Sequence, residues 1–206
     1  MPNNCQILSK KLEGHLRYID QTRKSIERLF HQNVIKKKDL ELVYKGLFLD
    51  AVTSFELFFE QLFIGLLTKN LTHSSRSVNP RVMFKSRKVC REVILGERSY
   101  VDWIPYNFTE KRAKSYFTNG LPFTFLDKTE KDNIQDIQTI RNAIAHSSNY
   151  AIKKFEREVL SGVSLPRRES TPVGYLRHVF ISAPPQTRYE KHIIDIALIA
   201  RKLTGL

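Results

Sequence analysis

Three residues that lie close together in the chain, Arg141, Asn142 and His146, combine side chains suited to acid–base chemistry on an anionic substrate. An imidazole has an unperturbed pKa of about 6.5, so His146 suits proton transfer at neutral pH. A guanidinium stays charged and can bind two phosphate oxygens, which suits Arg141 to stabilising charge on a phosphate. Asn142 lies four residues before His146, about one helical turn, and can orient the imidazole or the phosphate.

A plainer interpretation of these residues involves no chemistry. A histidine near a helix end is commonly a surface residue that interacts with the helix dipole. An arginine shortly before a histidine is also a common spacing in a chain with a net charge of +13. The context is more informative, because a polar residue follows Arg141 directly and small apolar residues precede His146.

The sequence predicts a helix over residues 127–149 that positions these side chains. Asp127 can cap its first turn, and Glu130 stands three residues on, the spacing of a capping box. Isoleucines then recur at spacings of three and four and predict one buried stripe: Ile134, Ile137, Ile140 and Ile144. At ~100° per residue, Arg141 lies at the edge of that stripe, and the opposite face carries Gln135, Thr139, Asn142 and His146.

The segment 141–146 (RNAIAH) resembles the signature of the HEPN superfamily, an arginine followed by four to six residues, the first of them polar, and then a histidine. The helical layout over roughly residues 36–160 agrees with this resemblance. The resemblance implies an all-α bundle. Many members are metal-independent ribonucleases that act as toxins or defence effectors in bacteria, so the resemblance also implies an endoribonuclease that uses Arg141 and His146 and needs no cofactor.

In such an enzyme the 2′-hydroxyl of the RNA is the nucleophile, His146 moves protons and Arg141 stabilises the phosphate. Side chains five positions apart on a helix point in directions that differ by ~140°. A single copy would therefore present only one arginine and one histidine, which point apart. The resembled family forms its site between two copies. We therefore expect a homodimer in which the face of Gln135, Thr139, Asn142 and His146 meets its twin.

One toxin branch of this family has a tyrosine two residues after the histidine, which an antitoxin modifies. Ser148 stands at that position here and Tyr150 follows two residues later, so this regulation is not expected. An antitoxin or a neighbouring defence protein is still a candidate partner.

A long central helix is predicted over residues 39–69, with Asp39 as its N-cap and apolar residues almost all round between 55 and 67. Glu56 and Glu60 lie on one face within it. Either both acids face solvent, or one of them bonds Arg141 and holds its guanidinium, because a buried carboxylate needs a partner.

Several further elements complete a predicted all-α helical bundle, one domain over residues 1–206. Residues 5–31 form an amphipathic helix, either core-facing or pairing with a partner, whose apolar stripe Arg23 interrupts. Residues 163–186 form an excursion, either a β-hairpin or a flexible arm, with 175–182 as a candidate strand. A second capping box, Thr187 with Glu190, begins a final helix with an apolar face of Ile193, Ile194, Ala197, Ala200 and Leu203.

An irregular segment over residues 76–126 is rich in basic and aromatic side chains. A helix is predicted over 81–96, with Val82, Met83, Val89, Val93 and Ile94 inward, followed by short helices and turns. Most of the aromatics are expected in the core. Charge for phosphates and flat faces for bases are what single-stranded RNA binding requires. The predicted RNA-binding residues are Arg81, Lys85, Arg87, Lys88, Arg91, Lys111, Arg112 and Lys114.

Composition excludes several classes of protein. The positive net charge favours a polyanionic partner, since binding phosphates releases counterions. Cys5 and Cys90 form no metal-binding or disulfide pattern, which fits a reducing cytoplasm. The N-terminus has no apolar run typical of a signal peptide. Acids interrupt the most apolar stretch, residues 47–67, so no membrane span and no membrane partner are expected.

The sequence therefore favours a metal-independent endoribonuclease, of the toxin or anti-phage kind. The alternative is a HEPN-like module that binds RNA or a partner protein without chemistry. A third interpretation is an unrelated helical adaptor in which Arg141 and His146 are incidental.

Overall fold

The structure, a computed structural model, describes residues 3–206 apart from the side chain of Arg168. About 66% of the chain is helical, which confirms the all-α helical bundle. The described residues form these α-helices: α1 (Gln6–His31), α2 (Lys37–Leu67), α3 (Arg87–Leu95), α4 (Tyr106–Tyr116), α5 (Lys128–His146), α6 (Asn149–Glu158), α7 (Pro172–Arg177) and α8 (Arg188–Thr204).

Two small sheets accompany the helices. Strand β1 (Asn3–Asn4) pairs in parallel with β2 (Leu71–Thr72). Strands β3 (Val179–Ser182) and β4 (Pro185–Thr187) form an antiparallel hairpin. Single 3₁₀ turns lie at Thr118–Gly120 and Arg167–Glu169. Within the described residues, no helix is long and apolar enough to cross a membrane.

Both capping boxes form as the sequence predicts. The Glu130 amide donates to Asp127 Oδ1 at 3.0 Å, and the Asp127 amide donates to Glu130 Oε2 at 2.8 Å. Thr187 and Glu190 make the same reciprocal pair, at 3.2 and 2.9 Å. The prediction that Asp39 is the N-cap of α2 was wrong, because the helix begins at Lys37. The Asp39 carboxylate instead accepts from the Lys36 amide at 3.0 Å, as the third residue of a helix does.

The chain divides into two compact units. The first, which we call the aromatic unit, comprises the residues up to Glu13, Ser54–Gln135 and Ile196–Leu206. Phe63 of α2 lies at the centre of its core, with ring centroids of Trp103, Phe117 and Phe123 between 5.1 and 5.2 Å away. All four rings are nearly or fully buried, as expected for a helix that is apolar almost all round.

The second unit, which we call the ion-pair unit, comprises Gly14–Thr53 and Asp136–Asp195. Its interior also holds apolar residues, but polar and charged side chains lie among them. Arg23 is 4% exposed and His192 is 1% exposed. Tyr44 and Tyr189 are fully buried and meet edge to face, with ring centroids 5.5 Å apart. The residues of the candidate site on α5 belong to this unit.

The predicted face of α3 was largely wrong, and that of α8 was right in part. Ser86 caps α3, so its helix begins at Arg87, and Cys90 and Ile94 are its buried residues. Ile94 was predicted inward, but the other predicted inward residues are exposed: Val82, Met83, Val89 and Val93. On α8, Ile193, Ala200 and Leu203 are buried as predicted, whereas Ile194 is exposed. The buried side of α8 also includes Tyr189, His192, Ile196 and Ile199.

The excursion over residues 163–186 is ordered by packing and is not a flexible arm. Residues 175–177 belong to α7, where the sequence had suggested a strand, and Val173, Tyr175 and Leu176 are buried. The strand begins only at Val179 and forms the hairpin with β4.

Candidate functional site

The candidate site lies at the end of α5 and in the turn that leads into α6. His146 is the last residue of α5. Ser147 follows in the left-handed region with φ of 47°, a conformation that ends a helix. The Ser148 hydroxyl then accepts from the Ala151 amide at 3.2 Å and caps α6. The chain therefore holds the imidazole at a sharp, well-defined corner, where His146 is exposed to solvent.

Asn142 contacts one of the two proposed chemical groups. Arg141 Nη1 donates to Asn142 Oδ1 at 3.0 Å, and both side chains are half-buried. Asn142 and His146, four residues apart, share one side of the helix. The hydrogen bond therefore holds the guanidinium against Asn142, one turn before the imidazole on the same helix.

The middle of the predicted dimer face is covered by the chain itself, which corrects the prediction for Thr139. Thr139 is 1% exposed, and its hydroxyl donates to Glu158 Oε2 of α6 at 3.5 Å. A residue buried in this way cannot meet a twin. Of the other residues of this face, Gln135 and Asn142 are half-buried and His146 is exposed.

Glu158 is itself held by basic neighbours on its own helix. Arg157 donates to its Oε1 at 2.8 Å, and Lys154 lies 3.7 Å from Oε2. The hydrogen bond from Arg157 keeps the pKa of Glu158 below its ordinary value. The carboxylate therefore stays ionised at neutral pH as an acceptor for Thr139.

Glu60, one of the two acids of α2 that were predicted to support the site, has a partner other than Arg141. Glu60 Oε1 lies 3.3 Å from Nε of Arg91 on α3, so this carboxylate pairs with an arginine other than Arg141. Both glutamates are half-buried, and a supporting role for Glu56 stays a prediction. Holding the guanidinium of Arg141 is a task that Asn142 performs in the structure.

Most of the predicted RNA-binding residues belong to the aromatic unit and lie on its surface. The exposed ones are Arg81, Lys85, Arg87, Lys88, Arg91, Lys111 and Lys114. Two of these have acidic partners, Arg91 with Glu60 at 3.3 Å and Lys114 with Glu110 at 3.0 Å. Arg87, Lys88, Arg81 and Lys85 follow one another closely along the chain, and they are the strongest phosphate-binding candidates.

Arg112 is the exception in this group. Its guanidinium lies 5.0 Å from the centroid of the Trp103 ring, and Nη1 donates to the Asp102 carbonyl at 3.2 Å. These contacts tie Arg112 to the aromatic core. Exposed rings near the basic residues are few: Tyr100 is 68% and Phe108 is 46% exposed, while most aromatics of this segment are in the core as expected.

Sequence reasoning missed a network of charges inside the ion-pair unit. Arg23 donates to Asp20 at 2.8 Å and to Glu190 at 2.6 Å. Glu27 accepts from Arg177 Nε at 2.8 Å and from Tyr44 at 2.6 Å. The only sequence signal was the interruption of the α1 stripe by Arg23, flanked by acids three residues before and four after.

Burial would oppose ionisation of Glu27, yet the hydrogen bonds from Arg177 and Tyr44 outweigh it and hold the pKa of this carboxyl below its ordinary value. Glu27 therefore accepts these hydrogen bonds as a carboxylate at neutral pH. Glu27 lies on α1 and Arg177, 150 residues later in the chain, lies on α7, so this ion pair joins the two helices. Its role is to position α7, which forms one wall of the pocket beside the end of α5.

Among the residues described, no group of three or more His, Cys, Asp or Glu is arranged to hold a metal ion. Comparison of the chain with protein-family models, with curated proteins and with solved structures found no match.

Proposed function

We propose that the chain is a metal-independent endoribonuclease of the HEPN type that uses Arg141, Asn142 and His146. The observation that carries the proposal is the 3.0 Å hydrogen bond from Arg141 to Asn142 beside the exposed His146. It brings a fixed cation and a proton-transfer group to one accessible helix end. The resemblance of residues 141–146 to the HEPN signature, on an all-α fold, agrees with this assignment.

The proposed reaction needs these side chains, the RNA and a proton donor for the leaving group. The imidazole of His146 accepts the proton of the 2′-hydroxyl, and the leaving 5′-oxygen takes its proton from water or from the protonated His146 of the second copy. The guanidinium of Arg141 stabilises the charge that builds on the phosphate oxygens. Attack of the 2′-oxygen on phosphorus breaks the bond to the 5′-oxygen and leaves a 2′,3′-cyclic phosphate. Asn142 holds the guanidinium in place.

The experiment is incubation of purified protein with a labelled RNA pool in EDTA, for the parent and for His146→Ala. The parent is expected to cleave, and His146→Ala is expected to lose at least about a hundredfold in rate, the contribution of a general acid–base group. His31→Ala is a matched control, since His31 is also the exposed last residue of a helix. Equal loss in both variants, or cleavage unaffected by His146→Ala, would refute the assignment.

A homodimer is part of the same proposal, now restricted to the exposed end of the face, at Asn142 and His146. If each site combines side chains of two copies, mixing inactive Arg141→Ala with inactive His146→Ala protein restores part of the activity. A mixture as inactive as its components, with subunit exchange shown by labelled protein, would place each site within one copy.

A toxin or anti-phage role is part of the same proposal, because cleavage of cellular RNA stops growth. Expression of the parent is expected to arrest bacterial growth, and expression of His146→Ala is not. Salt-dependent RNA binding without cleavage by the parent would instead favour the non-catalytic module, whose exposed residues Arg81, Lys85, Arg87 and Lys88 suit phosphate binding.

A further inference from the structure

A pocket of about 180 Å³ lies beside the end of α5, within the ion-pair unit. Three residues of α5 and the turn after it, Ala143, Ile144 and Ser147, form one wall. The opposite walls are largely apolar and come from α6 and α7, with Ile152, Pro172 and Val173. Apolar walls of this kind suit a flat, largely apolar ring with polar groups along one edge.

Glu41 and Lys45 supply the polar side of the pocket. They lie one turn apart on α2, and the Glu41 carboxylate is 3.7 Å from Lys37 rather than paired with Lys45. Lys45 has no acidic partner within 4.0 Å among the described residues. The pocket therefore offers a carboxylate as acceptor and an ammonium group as donor, one helical turn apart on α2.

The pocket adjoins the residues of the proposed reaction. Ala143 precedes His146 by three residues, so the two are neighbours on the helix surface. Ser147, which also lines the pocket, directly follows His146. A ring seated here would belong to a nucleotide next to the phosphate that His146 reaches.

A second pocket of about 310 Å³ continues from the first and shares Glu41, Thr171 and Val173 with it. Its other lining residues include Lys37, His178 and Glu169, whose carboxylate lies 3.8 Å from the His178 ring. A chain of nucleotides can thus pass from one pocket to the next, with Lys37 as the cation for its phosphates. This continuity suits a strand better than an isolated nucleoside.

We infer that the pocket between α2, α5 and α7 binds a guanine base and that Glu41 reads it, an inference that rests on the proposed ribonuclease function. Guanine presents two adjacent N–H donors and a carbonyl acceptor on its Watson–Crick edge, which match the Glu41 carboxylate and the Lys45 ammonium. Cytosine and adenine present a single amino group, and uracil presents a single N–H, so none fills both carboxylate oxygens. The enzyme therefore cleaves next to guanosine.

The test is the binding of GMP, AMP, CMP and UMP to the full chain by calorimetry, with cleavage-site mapping on the same protein. The parent is expected to bind GMP about tenfold more tightly than the other three, the discrimination typical of one bidentate contact. Glu41→Gln removes the ionised acceptor pair at nearly constant shape and is expected to abolish this preference. Glu156→Gln, an exposed position of α6 in the same unit, is the matched control.

A second variant keeps the test decisive if Glu41→Gln folds poorly. Lys45→Gln is expected to weaken GMP binding severalfold while CMP binding changes little, because the carbonyl acceptor loses its cation. Thermal unfolding of each variant verifies that the fold is intact. Equal binding of the four nucleotides by the parent, or a GMP preference that survives both substitutions, would overturn the inference.

Failure of the pocket and failure of the enzyme give different results. Selective GMP binding that depends on Glu41, without any cleavage of RNA, would support the guanine pocket and refute the ribonuclease. Cleavage that depends on His146 but shows no preference for guanosine, and is unchanged in Glu41→Gln, would refute the pocket and leave the ribonuclease standing.

Discussion

The aromatic unit and the ion-pair unit fill their interiors in different ways. In the aromatic unit, Phe63 meets Trp103, Phe117 and Phe123, and ring packing stabilises the core. In the ion-pair unit, Arg23 lies 4% exposed among carboxylates and tyrosines. The hydrophobic effect that buries the rings is non-directional, whereas a buried charge needs each of its hydrogen-bond partners in place.

This difference matters for function. The candidate residues Arg141 and His146 and the proposed guanine pocket belong to the ion-pair unit, where directional bonds fix the geometry of the surrounding helices. Proton transfer and base recognition require atoms to be placed to within a few tenths of an ångström. Directional bonds maintain such placement better than apolar contacts do. The aromatic unit, by contrast, displays the basic residues of α3, and the phosphate contacts proposed for them would need charge rather than precise placement.

The largest effect on stability is expected from a cavity in the aromatic unit. Phe63→Ala should lower the free energy of unfolding by about 3–5 kcal/mol, since the ring is fully buried among four other rings. Urea unfolding measures this loss. Phe108→Ala, at a 46% exposed position of the same unit, should change it by less than about 0.5 kcal/mol. Similar losses in the two variants would contradict the proposed core.

An intermediate effect is expected from the charge network of the ion-pair unit. Glu27→Ala removes the acceptor of Arg177 and Tyr44 and should cost about 2 kcal/mol, because both donors are left without this partner in a partly buried place. Asp132→Ala breaks the exposed pair with Lys128 and should cost less than about 0.5 kcal/mol. If Glu27→Ala is as mild as Asp132→Ala, the network does not stabilise the unit.

An effect that is small at neutral pH and grows only as pH falls is expected from His192. Burial lowers the pKa of this imidazole to about 3, with further contributions from Lys191 and Arg188. Between pH 6.5 and about 3 the unfolded chain binds a proton that the folded chain excludes, so stability falls as pH falls. The slope from this group approaches about 1.4 kcal/mol per pH unit.

His192→Gln should flatten this acid dependence, measured by urea unfolding across that pH range. His73→Gln in the aromatic unit is the comparison. The pKa of His73 is also lowered by burial, but its ring is half-buried and both its nitrogens have backbone partners, Leu203 and Ser75. Its contribution should therefore be smaller. A steeper change in His73→Gln than in His192→Gln would reverse the comparison.

The smallest effect on stability is expected at the candidate site itself. His146→Ala should change the free energy of unfolding by less than about 0.5 kcal/mol, because the side chain is exposed. Urea unfolding beside the parent measures the difference. A large loss would mean that His146 supports the fold, and a loss of cleavage in that variant would then say nothing about chemistry.

Local patterns in the sequence predicted much of the fold. Asp127 with Glu130 and Thr187 with Glu190 predicted two helix starts, because a capping box is complete within four residues. The faces of α3 were harder to predict. Val89 and Val93 lie only about 100° from Cys90 and Ile94 on the helix, so periodicity could not decide which pair packs inward.

The candidate site shows the same limit. Arg141, Asn142 and His146 lie within six positions of one helix, and the sequence predicted both that helix and the exposure of His146. The burial of Thr139 depends on Glu158, 19 residues away, and the burial of Arg23 depends on Glu190, 167 residues away. Such contacts follow from tertiary packing, and spacing along the chain does not encode them.

The most direct test of the central claim is the chemistry of the cleaved ends. Parent protein, His146→Ala and His31→Ala are incubated in EDTA with an RNA and with its fully 2′-O-methylated copy. We expect the parent and His31→Ala to leave 2′,3′-cyclic phosphate ends on the RNA alone, and His146→Ala to leave the RNA intact. Cleavage of the methylated copy, or cleavage by His146→Ala at the parent's rate, would contradict a 2′-hydroxyl reaction driven by His146.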